Sequence, residues 1–331
     1  MTVFSHGYYA RSDDASFIIV SGAETIEFLQ SILTANIATM PIGSCRPAAL
    51  LTPQGRILID MMVYRPSDAE IYLQTDNARS ADLLARLRRY RLRRPVNLEP
   101  SDDMQLTLWW GYDGTSAPED PRIFPDPRHA DLGCRIVSSG GSSGVSSGTD
   151  LPPALDTAEA VSYDNWHARR IAQAIPEGAV DLQPERALML EAGLDKLAAV
   201  DFEKGCYIGQ EVTARTHYRG LVKRRLMPIR CDGPPPAPGS DIIWQGKTIG
   251  TSKTAAPAPA DAGQSVLLAL LKLEDIHAIL AAADAQPEIN LTVDGGLAKL
   301  CPPTWCLPLP VPTPKPTPKP ASKPASKPAS G

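Results

Sequence analysis

The residues with the clearest chemical potential in this 331-residue chain lie in one short run, KGCYIGQE at residues 204–211. The run places a single thiol, that of Cys206, between two glycines and close to the ammonium group of Lys204. Glycine permits backbone conformations closed to other residues and lets a ligand approach the chain closely. A helix that begins just after the second glycine would present its positive end to an anion. Because these features favour a thiolate, the run predicts a cysteine that reacts with oxidants, metals or a sulfur donor.

A buried structural cysteine in a turn is the alternative for Cys206, because cysteine is among the most buried residue types. The chain has six cysteines, spread too widely for a disulfide framework, so a reducing cytoplasm is the expected setting. Cys301 and Cys306 flank Pro-Pro-Thr-Trp, a spacing that matches no zinc template. The sequence therefore predicts no metal site.

The charge pattern excludes some classes of partner. The chain has a formal net charge of -4, which argues against nucleic-acid binding by bulk electrostatics. It has no run of eighteen apolar residues and no signal or transit pattern at its start, so we expect no membrane span and a monomer that stays where it is made. Seven arginines nevertheless crowd residues 79–94. This cluster is either a solvated helix face or a patch that attracts an anionic partner, such as the polyglutamate tail of a folate.

The pattern of apolar residues predicts an α+β chain. Residues 17–20, 48–51, 56–64 and 71–74 form predicted strands, of which the middle two make a hairpin about Thr-Pro-Gln-Gly. Residues 24–33 have helical spacing, and so do Leu83, Leu84, Leu87 and Tyr90, the buried stripe of a second helix whose other faces carry the arginines. Helices are also predicted at 163–174 and at 184–190, and the first of these could place Trp166 and Arg170 beside a pocket. From residue 225 onward, short strands predict a small β-barrel.

The same pattern suggests how the chain is divided. Residues 1–137 form an N-terminal α+β region, which residues 150–220 complete with the thiol signature; that this region consists of two intertwined domains is implied by the family resemblance given below. Residues 138–149, rich in Ser and Gly, form a linker or loop. Residues 221–304 form the barrel, and the Pro-, Lys-, Ala- and Ser-rich residues 305–331 form a disordered tail.

Several segments resemble a known family. The run FEKGCYIGQEVTAR at residues 202–215 resembles the signature of YgfZ-type folate-binding proteins, which are relatives of the glycine-cleavage T-protein, an aminomethyltransferase. The resemblance extends from about residue 17 to about residue 300 and includes FLQSILTANI, LLTPQGRILIDMMVY, DPRHADLGCR and PERALMLEAGL. It implies the multi-domain architecture of T-proteins. It also implies a protein that binds tetrahydrofolate, or a one-carbon derivative of it, and helps to assemble or maintain iron-sulfur clusters in other enzymes.

The resemblance assigns residues to the folate. T-proteins hold the pterin through a glutamate in the sequence Leu-Glu-Ala-Gly, which stands here at residues 190–193. A pterin presents several hydrogen-bond donors, and a carboxylate can accept from two of them at once, so Glu191 is the expected anchor. The signature supplies the other predicted folate residues, which are Gly205, Tyr207, Gly209, Gln210, Glu211 and Arg215.

Each assignment has a structural alternative. Glu191 could instead pair with Arg186 or Lys196 at the end of a helix. Gln210 and Glu211 could simply support the loop from the first turn of the following helix. Arg215 could form an ordinary surface ion pair.

The leading hypothesis is an accessory protein for iron-sulfur enzymes that uses the Cys206 thiol, assisted by Lys204, beside a bound folate. Its partners would be iron-sulfur enzymes or cluster-assembly proteins. A first alternative is a folate-dependent one-carbon transferase, for which Asp76 or Asp82 would supply the carboxylate that T-proteins place near the folate. True aminomethyltransferases have a thiol-free segment where this chain has Lys-Gly-Cys-Tyr, which weakens that reading. A second alternative is a scaffold that binds its partner through the arginine cluster.

Overall fold

The computed structural model describes residues 7–112, 119–139, 151–258, 261, 263–285 and 291–311. Its strands are β1 (Tyr8–Ser12), β2 (Ala15–Ser21), β3 (Ser44–Leu51), β4 (Ile57–Arg65), β5 (Glu70–Asp76), β6 (Asn97–Ser101), β7 (Met104–Trp110), β8 (Ile123–Pro125), β9 (Cys134–Ser139), β10 (Glu159–Ala160), β11 (Arg224–Asp232), β12 (Asp241–Trp244), β13 (Lys247–Pro257), β14 (Gln264–Lys272), β15 (Leu291–Val293) and β16 (Gly296–Leu300). Its α-helices are α1 (Thr25–Ile32), α2 (Asn77–Arg91), α3 (Tyr163–Ala172), α4 (Gly178–Asp181), α5 (Gln210–Tyr218) and α6 (Leu273–Ala285).

The first sheet has the strand order β3-β4-β5-β2-β6, and each neighbouring pair is antiparallel. Its β3–β4 hairpin agrees with the sequence prediction, and Gly55 allows the turn by adopting φ +73. Helix α1 buries Phe28 and Leu29 against this sheet, and α2 buries Leu83 and Leu87. The helical spacing of these apolar residues is what fixes both helices to one shared core.

The second sheet has the order β10-β1-β7-β9-β8 and lies beside the first in the N-terminal part of the protein. Trp109 and Ile136 are fully buried in it. Helix α3 begins at a Ser162 cap, whose side chain accepts a hydrogen bond from the Asp164 amide. It packs between β1 of this sheet and strands β13 and β14, and it buries Trp166.

The last strands close into a barrel with the order β11-β14-β13-β12-β15-β16. The short strands after residue 225 predicted this barrel, and with the two sheets it confirms the predicted α+β architecture. The helices of the described residues include none that is long and apolar enough to cross a membrane.

One predicted element is absent from the described residues: 184–190 form turns and not a helix. Glu185 has φ +60, which is incompatible with a right-handed helix. The backbone here bonds to the start of β4 instead, through Glu185 N to Ile57 O at 2.7 Å and Ile57 N to Ala187 O at 3.0 Å. Residues 140–149 of the predicted linker and 312–331 of the predicted tail lie outside the described residues, and the domain boundaries stay a prediction.

A buried network of arginines and carboxylates joins the two sheets. Asp126 accepts hydrogen bonds from Arg128 Nε at 2.9 Å and from Arg135 Nη1 at 3.2 Å. Arg135, on β9, also donates to Tyr64 Oη at 2.6 Å and to Gln74 Oε1 at 2.8 Å, both in the first sheet. Burial alone would raise the pKa of Asp126, but the charges of Arg128 and Arg135 outweigh it and hold the pKa at about 2.

We expect Asp126→Asn to lower the free energy of unfolding by about 3–5 kcal/mol, because two buried guanidinium groups lose their carboxylate. Since the folded-state pKa lies below the ordinary value, the contribution is present above about pH 4 and is lost as the pH falls toward 2. Urea unfolding at neutral pH measures the change. Asp261→Asn is the control, because its pair with Arg230 is exposed and worth less than about 1 kcal/mol. Equal losses for the two variants would contradict the prediction.

Candidate functional site

A cavity of about 390 Å³ lies where the two sheets meet α3 and α4. Asp60 and Met62 of β4 line one side, Asp76 lies at the start of α2, and Trp166 of α3 lies opposite with Glu177 just before α4. A cavity of this volume is within the range that proteins use for small ligands.

Three carboxylates of the cavity wall keep part of their surface accessible. The exposed fractions of the side chains are 16% for Asp60, 19% for Asp76 and 24% for Glu177. Arg79 pairs with the first two at 2.7 and 2.6 Å, and Arg128 pairs with the third. A carboxylate offers about four acceptor positions, so these ion pairs leave room for donors of a ligand.

The opposite charge is supplied by arginines packed around one indole ring. The guanidinium carbons of Arg128 and Arg135 each lie 5.9 Å from the ring centroid of Trp166. Burial would raise the pKa of Glu177, but the charges of Arg128 and Arg170 lower it, so this carboxyl is ionised. The cavity therefore combines an aromatic wall with fixed charges of both signs.

Some residues that the sequence indicated do line this cavity. Trp166 and Arg170 are in its wall, as their spacing on α3 suggested, and so is Asp76. Asp82 is not, because it lies exposed on the outer face of α2 in an ion pair with Arg86. Arg79, the first arginine of the cluster at residues 79–94, is also buried in the cavity wall, so it does not belong to the exposed face of α2.

Sequence reasoning missed Asp60, Arg128 and Glu177. The first two lie in LLTPQGRILIDMMVY and DPRHADLGCR, segments that carried the family resemblance. For Asp60 the available signal was a charged residue within an otherwise apolar strand, since such a residue needs a buried partner. Glu177 offered no comparable signal, because it lies in a loop and its partners Arg128 and Arg135 are far away in the chain.

The thiol of Cys206 is exposed, in the loop that precedes α5. Helix α5 begins at Gln210, which confirms the predicted helix start after the second glycine. Cys206 does not line the cavity, and it makes no hydrogen bond with the described residues. The thiol is thus open to solvent and to partners, and separate from the hollow that could hold a ligand.

Lys204 is directed into the protein and not toward the neighbouring thiol. Its Nζ donates to Leu33 O at 2.6 Å and to Ala35 O at 2.7 Å. It also lies 5.1 Å from the ring centroid of Tyr207. Burial lowers the pKa of this amine to about 8, although Asp201 acts in the opposite direction. The expected support of the thiolate by this ammonium is not observed, and the lysine instead anchors the loop to the segment that follows α1.

The two glycines of the signature have different surroundings. Gly209 has φ +82, and a Cβ placed on it would lie 2.5 Å from Thr52 O and 3.1 Å from Gly55 Cα. The loop therefore meets the β3–β4 turn with no room for a side chain. Gly205 has no neighbouring atom within 4 Å of such a Cβ.

Glu191 lies in the segment between α4 and α5, and its backbone oxygen accepts from Leu226 N of the barrel strand β11 at 2.9 Å. Burial raises the pKa of its carboxyl, against the opposing charges of Arg224, Arg56 and Lys223. It is not among the residues that line the cavity, and neither of the alternative pairings with Arg186 and Lys196 forms.

The other predicted folate residues are similarly dispersed. Tyr207 is buried, and its hydroxyl has no hydrogen-bond partner among the described residues. Gln210 Nε2 donates to Lys204 O at 3.4 Å, which is the loop support expected as its alternative role. Glu211 and Arg215 are exposed on α5. None of the residues predicted to hold folate lines the cavity.

A second, open hollow of about 530 Å³ adjoins the signature on the outside. Phe202 and His217 stack in its wall with ring centroids 4.0 Å apart, and the largely exposed Tyr218 lies beside them. Arg46 and Asn36 complete one side. The surface at the start of the signature is therefore concave and partly aromatic, which suits contact with another protein.

The two glycines give a matched test of the loop. We expect Gly209→Ala to lower the free energy of unfolding by about 2 kcal/mol or more, because a side chain there is strained at positive φ and meets the Thr52 carbonyl. Gly205→Ala should change it by less than about 0.5 kcal/mol. Thermal or urea unfolding of both variants measures the difference, and equal effects would contradict the packing described.

The chain matches known domain families and solved structures. The GCVT N-terminal domain family matches residues 14–109, and the CAF17 C-terminal β-barrel domain family matches residues 223–307. The crystal structure of glycine cleavage system aminomethyltransferase T from Bartonella henselae has a TM-score of 0.68 and covers 92% of this chain and 87% of its own. Its sequence identity is 17%, so this likeness shows the fold alone.

Curated relatives show the family. Iron-sulfur cluster assembly factor IBA57, mitochondrial, from Mus musculus is 31% identical over 84% of this chain and 81% of its own. The Homo sapiens protein of the same name is 32% identical over 86% and 83%. The homologue from Pyricularia oryzae is 35% identical over 64% of this chain, which spans only 54% of that protein.

These relatives correct the predicted location and identify the family of this chain. They are named as mitochondrial proteins, so the predicted cytoplasmic location is wrong. The prediction rested on unpaired cysteines, which indicate a reducing compartment but do not say which one. The T-protein-like fold implied by the sequence resemblance is confirmed. At more than 30% identity over most of the length of the mouse and human proteins, this chain belongs to the IBA57 family.

Proposed function

We propose that this protein acts in iron-sulfur cluster assembly and that the Cys206 thiol contacts the cluster as it passes between proteins. Its family relatives are named as assembly factors. The observation that carries the proposal is the exposure of Cys206 at the front of α5, on a loop that Lys204 and Gly209 hold in place. The cluster is cargo here, not a resident group.

A single cysteine is too few ligands for a cluster, because iron-sulfur clusters generally need four. The remaining ligands must therefore come from a partner protein. The aromatic hollow formed by Phe202, His217 and Tyr218 adjoins the signature and provides a surface on which such a partner can dock. An assembly protein that carries its own thiolates is the class of partner this arrangement fits.

We further propose that a reduced folate binds in the central cavity. A volume of about 390 Å³ and the aromatic wall formed by Trp166 suit a pterin ring. The carboxylates of Asp60, Asp76 and Glu177 retain acceptor positions for the ring's N–H donors. These residues would hold the ring in place of the predicted Glu191. A bound tetrahydrofolate would supply one-carbon chemistry, which the protein's own residues do not provide.

One-carbon transfer remains the second candidate function, because Asp76 lines the cavity. A carboxylate next to the folate is the feature that such an enzyme requires. Its ion pair with Arg79, at 2.6 Å, holds it in position. The exposed thiol takes no part in this alternative.

Cys206→Ser should abolish complementation of iron-sulfur enzyme activity in a strain that lacks the protein, because a hydroxyl does not replace a thiolate ligand. The residual activity expected is less than about one tenth of wild type. Cys301→Ser is the matched control, since Cys301 is the other exposed cysteine of the described residues. Both variants should melt at the wild-type temperature. Full complementation by Cys206→Ser would remove the thiol from the mechanism.

Titration calorimetry with tetrahydrofolate tests the cavity. Asp76→Asn should weaken binding about tenfold, because a charge-assisted hydrogen bond is lost while the asparagine still caps α2. Glu191→Ala should change the affinity by less than about twofold, because Glu191 does not line the cavity. The opposite pattern would move the folate to the Glu191 loop, and no heat with the wild-type protein would contradict folate binding altogether.

A further inference from the structure

The end of α2 carries an unusual surface feature that none of the proposed functions uses. Leu92, directly after the helix, is 82% exposed, more than any other large apolar residue in the described part of the chain. Around it stand the exposed arginines Arg88, Arg89, Arg93 and Arg94. We call these five residues the arginine tip.

The backbone of the tip holds Leu92 outward. Residues 91–94 form a tight turn closed by a hydrogen bond from Arg94 N to Arg91 O at 3.0 Å. Leu92 has φ 52 and ψ -114, the values for the second residue of a type II′ turn, which is a glycine position. Arg91 Nη1 donates to Val96 O at 3.1 Å, which secures the turn from the other side. A leucine here is strained and buries nothing, so folding does not account for it.

The helix beneath the tip is firmly attached. Leu83 and Leu87 are fully buried in the core of the first sheet. Gly22 packs against the segment that follows the tip, because a Cβ on it would lie 2.3 Å from Pro95 O. The tip is therefore a fixed projection of the fold.

The charge of the tip is largely uncompensated. Arg88, Arg89 and Arg93 form no ion pair with the described residues, and Arg94 reaches the Glu24 carboxylate only at 4.0 Å. Arginines in the last helical turn stabilise a helix through its dipole, but two of these four lie beyond that turn. This positive cluster stands out on a chain whose net charge is -4.

We propose that the arginine tip docks the protein on the surface of an anionic lipid membrane. Guanidinium groups bind phosphate headgroups through paired hydrogen bonds, and each basic side chain near an acidic bilayer adds to the attraction. A single projecting leucine suits the boundary between headgroups and acyl chains, which accepts an apolar side chain without a preformed pocket. A soluble acidic protein would satisfy the arginines but gives no reason for the strained leucine. The contact lies at the membrane surface and is independent of the proposed cluster chemistry.

Flotation of the full chain with vesicles tests this. We expect binding to vesicles of phosphatidylcholine with about one third phosphatidylglycerol, and at least about tenfold weaker binding to pure phosphatidylcholine or in high salt. Arg88→Glu with Arg89→Glu should reduce binding to the acidic vesicles about tenfold or more. Arg230→Glu with Lys299→Glu, a cross-strand pair on the barrel surface, is the matched charge control and should retain it.

Leu92→Gly separates a docking role from a structural one. Glycine accepts the turn geometry, so the melting temperature should rise, while binding to acidic vesicles should fall severalfold. Leu297→Ser, on an exposed barrel position, should leave vesicle binding unchanged. Unchanged vesicle binding by Leu92→Gly, or a wild-type protein that binds soluble polyglutamate but not acidic vesicles, would overturn the proposal. The second result would assign the tip to a soluble acidic partner.

Discussion

The buried arginine and carboxylate network is the interaction on which this molecule depends. Asp126 anchors Arg128 and Arg135, and Arg135 reaches across to Tyr64 and Gln74 of the first sheet. Asp181, also fully buried, extends the network to the barrel. Its carboxylate accepts from Arg170 Nη1 at 2.8 Å and from Thr254 N at 3.1 Å.

Charges in such a place are costly unless each finds its partner, so the network forms only when both sheets, α3 and the barrel are assembled together. The central cavity is a consequence of this arrangement. Long guanidinium groups that bridge the sheets leave space that apolar side chains would have filled. The same groups line that space with fixed charge, which favours a polar ligand over an apolar one.

The position of the Cys206 thiol depends on a different set of contacts. The loop that carries it is attached by a buried lysine to the segment that follows α1, and by a closely packed glycine to the β3–β4 turn. Lys204 and Gly209 therefore have structural roles in attaching the loop, and Cys206 is left exposed at the surface. The cavity and the thiol thus occupy separate places in the fold, because Cys206 does not line the cavity.

Local patterns in the sequence determined much of the fold. The β3–β4 hairpin, helix α2 with its buried Leu83 and Leu87, the helix start at Gln210 and the barrel after residue 225 all follow from short-range periodicity and turn chemistry. The signature also marked the exposed thiol. The helix predicted at 184–190 failed because its backbone pairs with β4, which is more than a hundred residues away. Only the tertiary structure decided which charged groups meet in the cavity, that Lys204 turns inward, and that Glu191 lies elsewhere. The reason is physical: these outcomes depend on contacts between distant segments, where burial and the need to pair each charge override what neighbouring residues indicate.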